Sequence, residues 1–142
     1  MQIKFKKLCE EAVIPEYQTA GSAGMDIRTI EDYRLMPGER HIFKTGLAVA
    51  VEDGYEVQVR ARSGLSAKDG VTVINGVGTI DADYRGEIGV ALINHNIMPV
   101  LINAGDRIAQ LVVNKIEQPE IVVVDELGET IRGTGGFGST GK

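Results

Sequence analysis

Tyr55-Glu-Val-Gln-Val-Arg-Ala-Arg62 sets an apolar residue at every second position, through Val57, Val59 and Ala61, with charged or amide side chains between. A period of two sends alternate side chains to opposite faces, so the segment reads as a half-buried β-strand. Arg40-His-Ile-Phe-Lys-Thr45 and Glu87-Ile-Gly-Val-Ala-Leu-Ile93 read the same way. Ile3–Leu8, Val71–Ile74, Val100–Ile102, Ile108–Ile116 and Ile121–Val124 are further strand candidates. Met36-Pro-Gly38, Asp53-Gly54, Asp69-Gly70 and Ala104-Gly-Asp106 supply turn chemistry between them. Helical periodicity is nearly absent. One short helical turn is expected at Ser63–Lys68, with Ser63 as its N-cap. Many short strands at regular spacing predict an all-β sandwich, jelly roll or barrel.

The bulk numbers bound the rest. At 142 residues the chain is one ordinary domain, long enough to bury roughly 68–70% of its unfolded surface. Hydrophobic content of 43% with 25% charged residues is that of a soluble globular protein. Apolar runs such as Gly46–Val51 are too short to cross a bilayer. Met1–Lys7 has no signal-peptide core, so a cytoplasmic location with no membrane contact is expected. The lone Cys9 agrees and reads as a small core residue. A net charge of −5 argues against a general nucleic-acid surface, although it leaves room for one polyanionic ligand held by local arginines. His41 and His95 stand far apart, which disfavours zinc catalysis and a histidine-centred triad.

Asn75-Gly-Val-Gly-Thr-Ile-Asp-Ala-Asp-Tyr-Arg-Gly-Glu87 has more polar chemistry than a scaffold needs. Gly76, Gly78 and Gly86 permit a tight turn or a close backbone approach to a ligand. The segment reads as a β-hairpin with polar groups at its tip and flank. Taken alone, Asp81 is a turn residue and Asn75 another. Together with Tyr84 they fit a site that holds a base, a sugar and an activated water. Asp83 and Arg85 read as hairpin ion-pair or surface residues.

Three further clusters carry chemistry. Ala23-Gly-Met-Asp-Ile27 offers an acid, Asp26, at a strand start. Arg62-Ser-Gly-Leu-Ser66 offers a cation, hydroxyls and backbone amides at a strand-to-helix turn, suited to an anion. Gly105–Leu111 places Arg107 and Gln110 on a strand. From Gly128 the composition changes, and Arg132-Gly-Thr-Gly-Gly-Phe-Gly-Ser-Thr-Gly141 nearly closes the chain. By composition this is a frayed tail. It also holds a guanidinium, hydroxyls and unhindered N–H groups, the means of clamping a triphosphate. Its Gly133-x-Gly135-x-x-Gly138 spacing is no dinucleotide fingerprint, because no helix can follow before Lys142.

In order and spacing these five clusters closely resemble the five motifs of the trimeric deoxyuridine triphosphatases (dUTPases). The resemblance runs from about Ala20 to Gly141. It implies a distorted jelly-roll/β-barrel body over residues 1–127. Residues 128–142 then form a mobile arm that completes a neighbouring subunit's site in a homotrimer. The implied reaction converts dUTP to dUMP and diphosphate, which limits uracil incorporation into DNA and supplies dUMP for dTMP synthesis. In similar proteins the aspartate matching Asp81 orients and deprotonates the attacking water. The asparagine matching Asn75, with Gly78 and the backbone around Thr79 and Ile80, reads the uracil edge. Tyr84 matches the tyrosine under the sugar, which leaves no room for a 2′-hydroxyl. Arg62, Ser63, Gly64 and Gln110 match phosphate contacts. On the arm, Arg132 and the hydroxyls, Ser139 among them, match γ-phosphate contacts. Gly138 belongs to the same binding set, and Phe137 matches the aromatic that stacks on uracil. Mg2+ in such enzymes is held by the phosphates and waters, and the acid matching Asp26 acts only through those waters. Ala61 stands where many relatives have proline.

The residues suit that chemistry without a covalent intermediate. A carboxylate ionised at neutral pH takes a proton from water, and positioned charge does the rest. Two other readings remain beside it. A dCTP deaminase would use a glutamate near the base, for which Glu87 is the nearest residue. A nucleotide-binding module on the same fold would need no catalysis.

Overall fold

A computed structural model describes residues 1–137, and those residues form twelve strands and one short helix. In chain order they are β1 (Lys4–Lys7), β2 (Glu16–Tyr17), β3 (Met25–Arg28), β4 (Tyr33–Leu35), β5 (Arg40–Lys44) and β6 (Leu47–Ala50). There follow β7 (Tyr55–Arg60), α1 (Ser63–Asp69), β8 (Val71–Val73), β9 (Val77–Ile80), β10 (Gly89–Asn94), β11 (Val100–Ile102) and β12 (Arg107–Lys115). Every pairing is antiparallel. The main sheet runs β2-β3-β12-β7-β9 and a second runs β5-β10-β8, with β1-β6 and β4-β11 as two-stranded pairs. Successive strands keep changing sheet, which makes the body an all-β, distorted jelly roll.

The period-two reading decides which side chains enter the core. Val57 and Val59 of β7, and Val90 and Leu92 of β10, are buried, while their sequence neighbours lie on the other face. In β12 the register against β3 slips between Arg107 and Ala109. That irregularity is why the consecutive residues Ile108 and Ala109 are both buried. Phe43, Ile27, Leu35, Leu47, Ile88 and Leu111 fill the centre, each stabilising the fold by about 1.5–3 kcal/mol over exposure. Asn94 is one of three buried polar residues, with Thr29 and Thr45. It is fully buried, its Nδ2 donates to the Leu35 and Met98 carbonyls at 3.0 and 2.9 Å, and its Oδ1 accepts from Asn96 N at 2.8 Å. A fully satisfied amide of this kind ties two connections together at little net cost.

Three expectations are corrected. Ile121–Val124 is not a strand among the described residues; all four side chains are exposed, because no strand edge of the same chain lies beside them. The hairpin expected over Asn75–Glu87 does not form: β9 joins β7, while β10, which follows the Asp81–Tyr84 turn, joins β5 and β8, so the two arms lie in different sheets. Ser63 is already the first helical residue; Arg62 occupies the N-cap position and makes no side-chain cap.

The β4–β5 connection is closed by Glu39, whose Oε1 accepts from the Tyr33 hydroxyl at 2.6 Å and whose Oε2 accepts from Met36 N at 2.8 Å. Tyr33 also stacks on His41 at 3.8 Å. The Tyr33 hydrogen bond, then the Met36 N–H, hold the Glu39 carboxyl below its ordinary range against the opposing effect of burial, with a smaller contribution from His41. A carboxyl depressed on folding stabilises above its unfolded pKa, and the contribution disappears as pH falls through the folded value. Tyr33 shifts the other way, raised first by the hydrogen bond to Glu39, then by burial and the charges of Glu39 and Glu31. Its contribution is complete below the unfolded phenol pKa and disappears as pH rises through the folded one. Glu39→Gln is therefore expected to flatten the acid limb of stability in thermal melts run from about pH 6 to pH 3. An acid limb of unchanged steepness would remove Glu39 from that role.

Candidate active site

A cleft opens between β9 and the start of β10. One lobe, about 200 Å³, is lined by Asp81, Tyr84, Glu87 and Ile88; the other, about 120 Å³, by Val59, Val73, Asn75, Gly78 and Ala91. Thr79, Ile80 and Gly89 line both, so the lobes are continuous. β9 is the terminal strand of its sheet, and alternate backbone N–H and C=O groups on its free side have no strand partner. Such an edge can pair with a planar ligand bearing carbonyl and N–H groups. Gly78 leaves no room for a side chain: a Cβ there would stand 3.1 Å from Val59 Cβ and 3.3 Å from the Asn75 amide nitrogen.

Local bonds shape the loop after β9. Tyr84 N donates to Asp81 O at 3.1 Å, folding the tyrosine back beside the aspartate. The Tyr84 hydroxyl donates to Glu87 O at 3.1 Å. Asp81 itself is exposed, and its carboxylate makes no hydrogen bond among the described residues. It is free to hold a water. Arg85 donates to the Ala82 and Tyr84 carbonyls at 2.6 and 2.8 Å, bracing the loop instead of pairing with Asp83. Glu87 Oε1 accepts from Gly46 N at 2.8 Å, an engagement that does not suit a base at the ring of a bound pyrimidine.

A second cluster gathers the residues expected to contact phosphates. Asp26 on β3 accepts from Arg62 Nε at 3.1 Å and from Arg107 Nη1 at 3.0 Å. Arg62 Nη1 also donates to Arg107 O at 2.9 Å, and Arg107 Nη1 to Gln18 Oε1 at 3.2 Å. Gln110 Nε2 donates to Ala61 O at 3.0 Å, fixing the chain just before Arg62. Ser63 and Gly64 open α1, where first-turn N–H groups have no intrahelical acceptor. A groove of about 830 Å³ lies alongside, with Arg28, Arg62 and Arg107 on its wall. Two guanidiniums on one carboxylate leave excess positive charge, suited to an anion. Among the described residues no three His, Cys, Asp or Glu side chains converge as a metal cage. Both Asp26 oxygens are engaged by arginine, which leaves neither of them open for direct metal ligation.

The two clusters do not meet within one chain. Asp26, Gln110, Arg60 and Val77 lie on one rung across β3, β12, β7 and β9. Arg62 lies two residues beyond that rung in one direction and Asp81 four residues beyond in the other. Six strand positions separate them along the sheet, roughly 20 Å. The cavities beside them share no lining residue. Among the described residues Arg132 bonds only locally, its Nε to Gly135 O at 2.8 Å, and Phe137 is fully exposed. Gly138, Ser139 and Thr140 lie outside the described residues. Sequence reading missed Gln18, Arg28 and the clamp that Asp26 places on Arg62 and Arg107. No signal for that clamp exists before strand pairing is known.

Comparison with known proteins matches this chain to a family. The dUTPase family model matches residues 10–141. The deoxyuridine 5′-triphosphate nucleotidohydrolase of Nautilia profundicola is 56% identical over 142 residues, covering 100% of each chain. That of Wolinella succinogenes is 54% identical, covering 100% of this chain and 95% of its own. Among solved structures, a mutant Staphylococcus bacteriophage 80alpha dUTPase with dUpNHpp superposes with a TM-score of 0.93 at 30% identity, covering 99% of both. A mutant dUTPase from phage phi11 of S. aureus, described with a structural Mg(II) ion, gives 0.85 at 30% identity, covering 91% of this chain and 100% of that one. No helix among the described residues is long and apolar enough to cross a membrane.

Proposed function

The chain belongs to the dUTPase family and hydrolyses dUTP to dUMP and diphosphate, and from that premise we propose how its residues divide the work. Asp81 takes a proton from a bound water as the water oxygen bonds to the α-phosphorus. The bond from that phosphorus to the α–β bridging oxygen breaks in line, and diphosphate leaves. Uracil lies along the free edge of β9, with Asn75 and Gly78 at the inner lobe and the backbone of Thr79 and Ile80 reading its edge. Uracil has an acceptor at position 4 where cytosine has a donor. Mismatched buried polar groups of this kind discriminate by about 10⁴–10⁵. Tyr84 packs under the deoxyribose. Arg62, Ser63, Gly64 and Gln110 hold the phosphates.

These groups act across a subunit boundary in a homotrimer. The body, residues 1–127, presents Asp81 to the Arg62 cluster of a second copy. The arm, residues 128–142, closes the site from a neighbour, Arg132, Gly138 and Ser139 on the γ-phosphate and Phe137 on uracil. When Mg2+ is bound it neutralises phosphate charge; the phosphates hold it, with Asp26 reached through water. No nucleic-acid surface or membrane contact enters this scheme, and its place is the cytoplasm.

The observation that supports shared sites is the roughly 20 Å of sheet between Asp81 and Arg62 in a single chain. The test is complementation. An Asp81→Asn chain and a chain ending at Ile131 are each expected to be nearly inactive. Unfolded and refolded together in equal amounts, they should recover roughly a quarter of full activity, since half the sites draw each component from the competent copy. No recovery in mixed trimers, verified by mass, would mean that Asp81 and the arm of each site come from the same chain.

A further inference from the structure

We propose that Glu87 is a positioning residue that fixes the Tyr84 ring, and through it the exclusion of ribonucleotides; the proposal rests on the reading of Tyr84 as the residue under the sugar. Glu87 ends the loop that carries Asp81 and Tyr84, and its Oε1 accepts the Gly46 N–H at 2.8 Å from the turn between β5 and β6. The next residue is docked on the same turn. Ile88 N donates to Leu47 O at 2.7 Å, and the buried Thr45 hydroxyl donates to Ile88 O at 2.7 Å. Glu87 thus extends a rigid attachment by one residue, up to the carbonyl that accepts the Tyr84 hydroxyl at 3.1 Å.

Both ends of this connection are set by glycine. A Cβ on Gly86 would overlap the Tyr84 hydroxyl and ring, so the ring can lie folded over this residue only in its absence. Gly46 has φ +66°, and a Cβ there would stand 2.5 Å from Cys9 Sγ and 2.9 Å from Ala12 Cβ. Packed from behind, the Gly46 N–H is held toward Glu87. Tyr84 is otherwise half exposed, and the Glu87 carbonyl is the only described hydrogen-bond partner of its hydroxyl. A ring that excludes one oxygen by contact must keep its height within a fraction of an ångström. The Gly46–Glu87 bond supplies that constraint from outside the loop.

The experiment compares kcat/KM for dUTP with that for UTP in four variants. Glu87→Ala is expected to lower the dUTP:UTP ratio roughly tenfold, as a small misplacement of a contact group does. Glu87→Gln retains an Oε1 acceptor for Gly46 and should keep the ratio. Tyr84→Ala serves as the control on the premise and should lower the ratio further. An unchanged ratio in Glu87→Ala beside a lowered one in Tyr84→Ala overturns the positioning role alone. An unchanged ratio in Tyr84→Ala overturns the sugar reading and this proposal with it. If Glu87→Ala does not fold, Tyr84→Phe removes only the hydroxyl that Glu87 holds, and an unaltered ratio there overturns the proposal.

Discussion

Asp81→Asn is expected to lower kcat by roughly 10²–10⁴ while leaving nucleotide affinity nearly unchanged. The substitution keeps the shape of the side chain and removes its ability to take a proton from water. It should not disturb the fold, because Asp81 is exposed and its carboxylate has no hydrogen-bond partner among the described residues. The Asp81–Tyr84 turn is made by backbone atoms, which the change does not touch. An amide also carries less negative charge beside the phosphates, so binding of a non-hydrolysable analogue should be equal or tighter. Single-turnover measurements with dUTP separate the chemical step from product release. Turnover within a few fold of the parent chain would show that another group activates the water. A large loss of analogue binding would instead assign Asp81 to holding the sugar.

How far the sequence anticipates this site depends on whether a feature is local. Val57 and Val59 point inward because alternation is a property of one strand, and Tyr55–Arg62 displays it without help from any other segment. Asn75, Asp81 and Tyr84 share a cleft because only a few residues separate them. Asp26, Arg62 and Arg107 come from β3, the cap of α1 and β12, the first pair 36 positions apart in sequence and Asp26 and Arg107 81 positions apart. Their convergence follows from β3 pairing with β12, which no local pattern encodes. Ile121–Val124 illustrates the opposite failure. Its β-branched residues have strand propensity, yet a strand exists only where a partner edge is free to receive it, and within this chain none is beside it. The hairpin expected over Asn75–Glu87 failed for a related reason. The Asp81–Tyr84 turn is local, but the pairing of β9 with β7, and of β10 with β5 and β8, is made by the core.

Removing Arg132–Lys142 should leave a folded protein with kcat/KM for dUTP reduced by roughly 10²–10³, the scale of losing charge-stabilising contacts to a transferred phosphoryl group. The fold should not register the loss. The described hydrogen bonds of the arm are internal: Gly133 N to Thr130, Gly135 N to Arg132 O, and Arg132 Nε to Gly135 O. Ile131 and Phe137, the large apolar residues among the described part of the arm, are fully exposed, so neither packs on apolar surface of the same chain. Thermal melts should therefore coincide with those of the full chain. The run upstream of the arm has a property of its own, since Ile121, Val123 and Leu127 are each nearly as open as in an extended chain. Apolar residues in such a row favour a surface beyond their own chain, and they remain after the cut, so assembly should persist while activity falls. Size-exclusion chromatography with light scattering and a diphosphate-release assay on the same sample read both quantities. Full activity in the shortened protein would reduce the arm to a tail; a monomer would mean that residues beyond Ile131 hold the copies together.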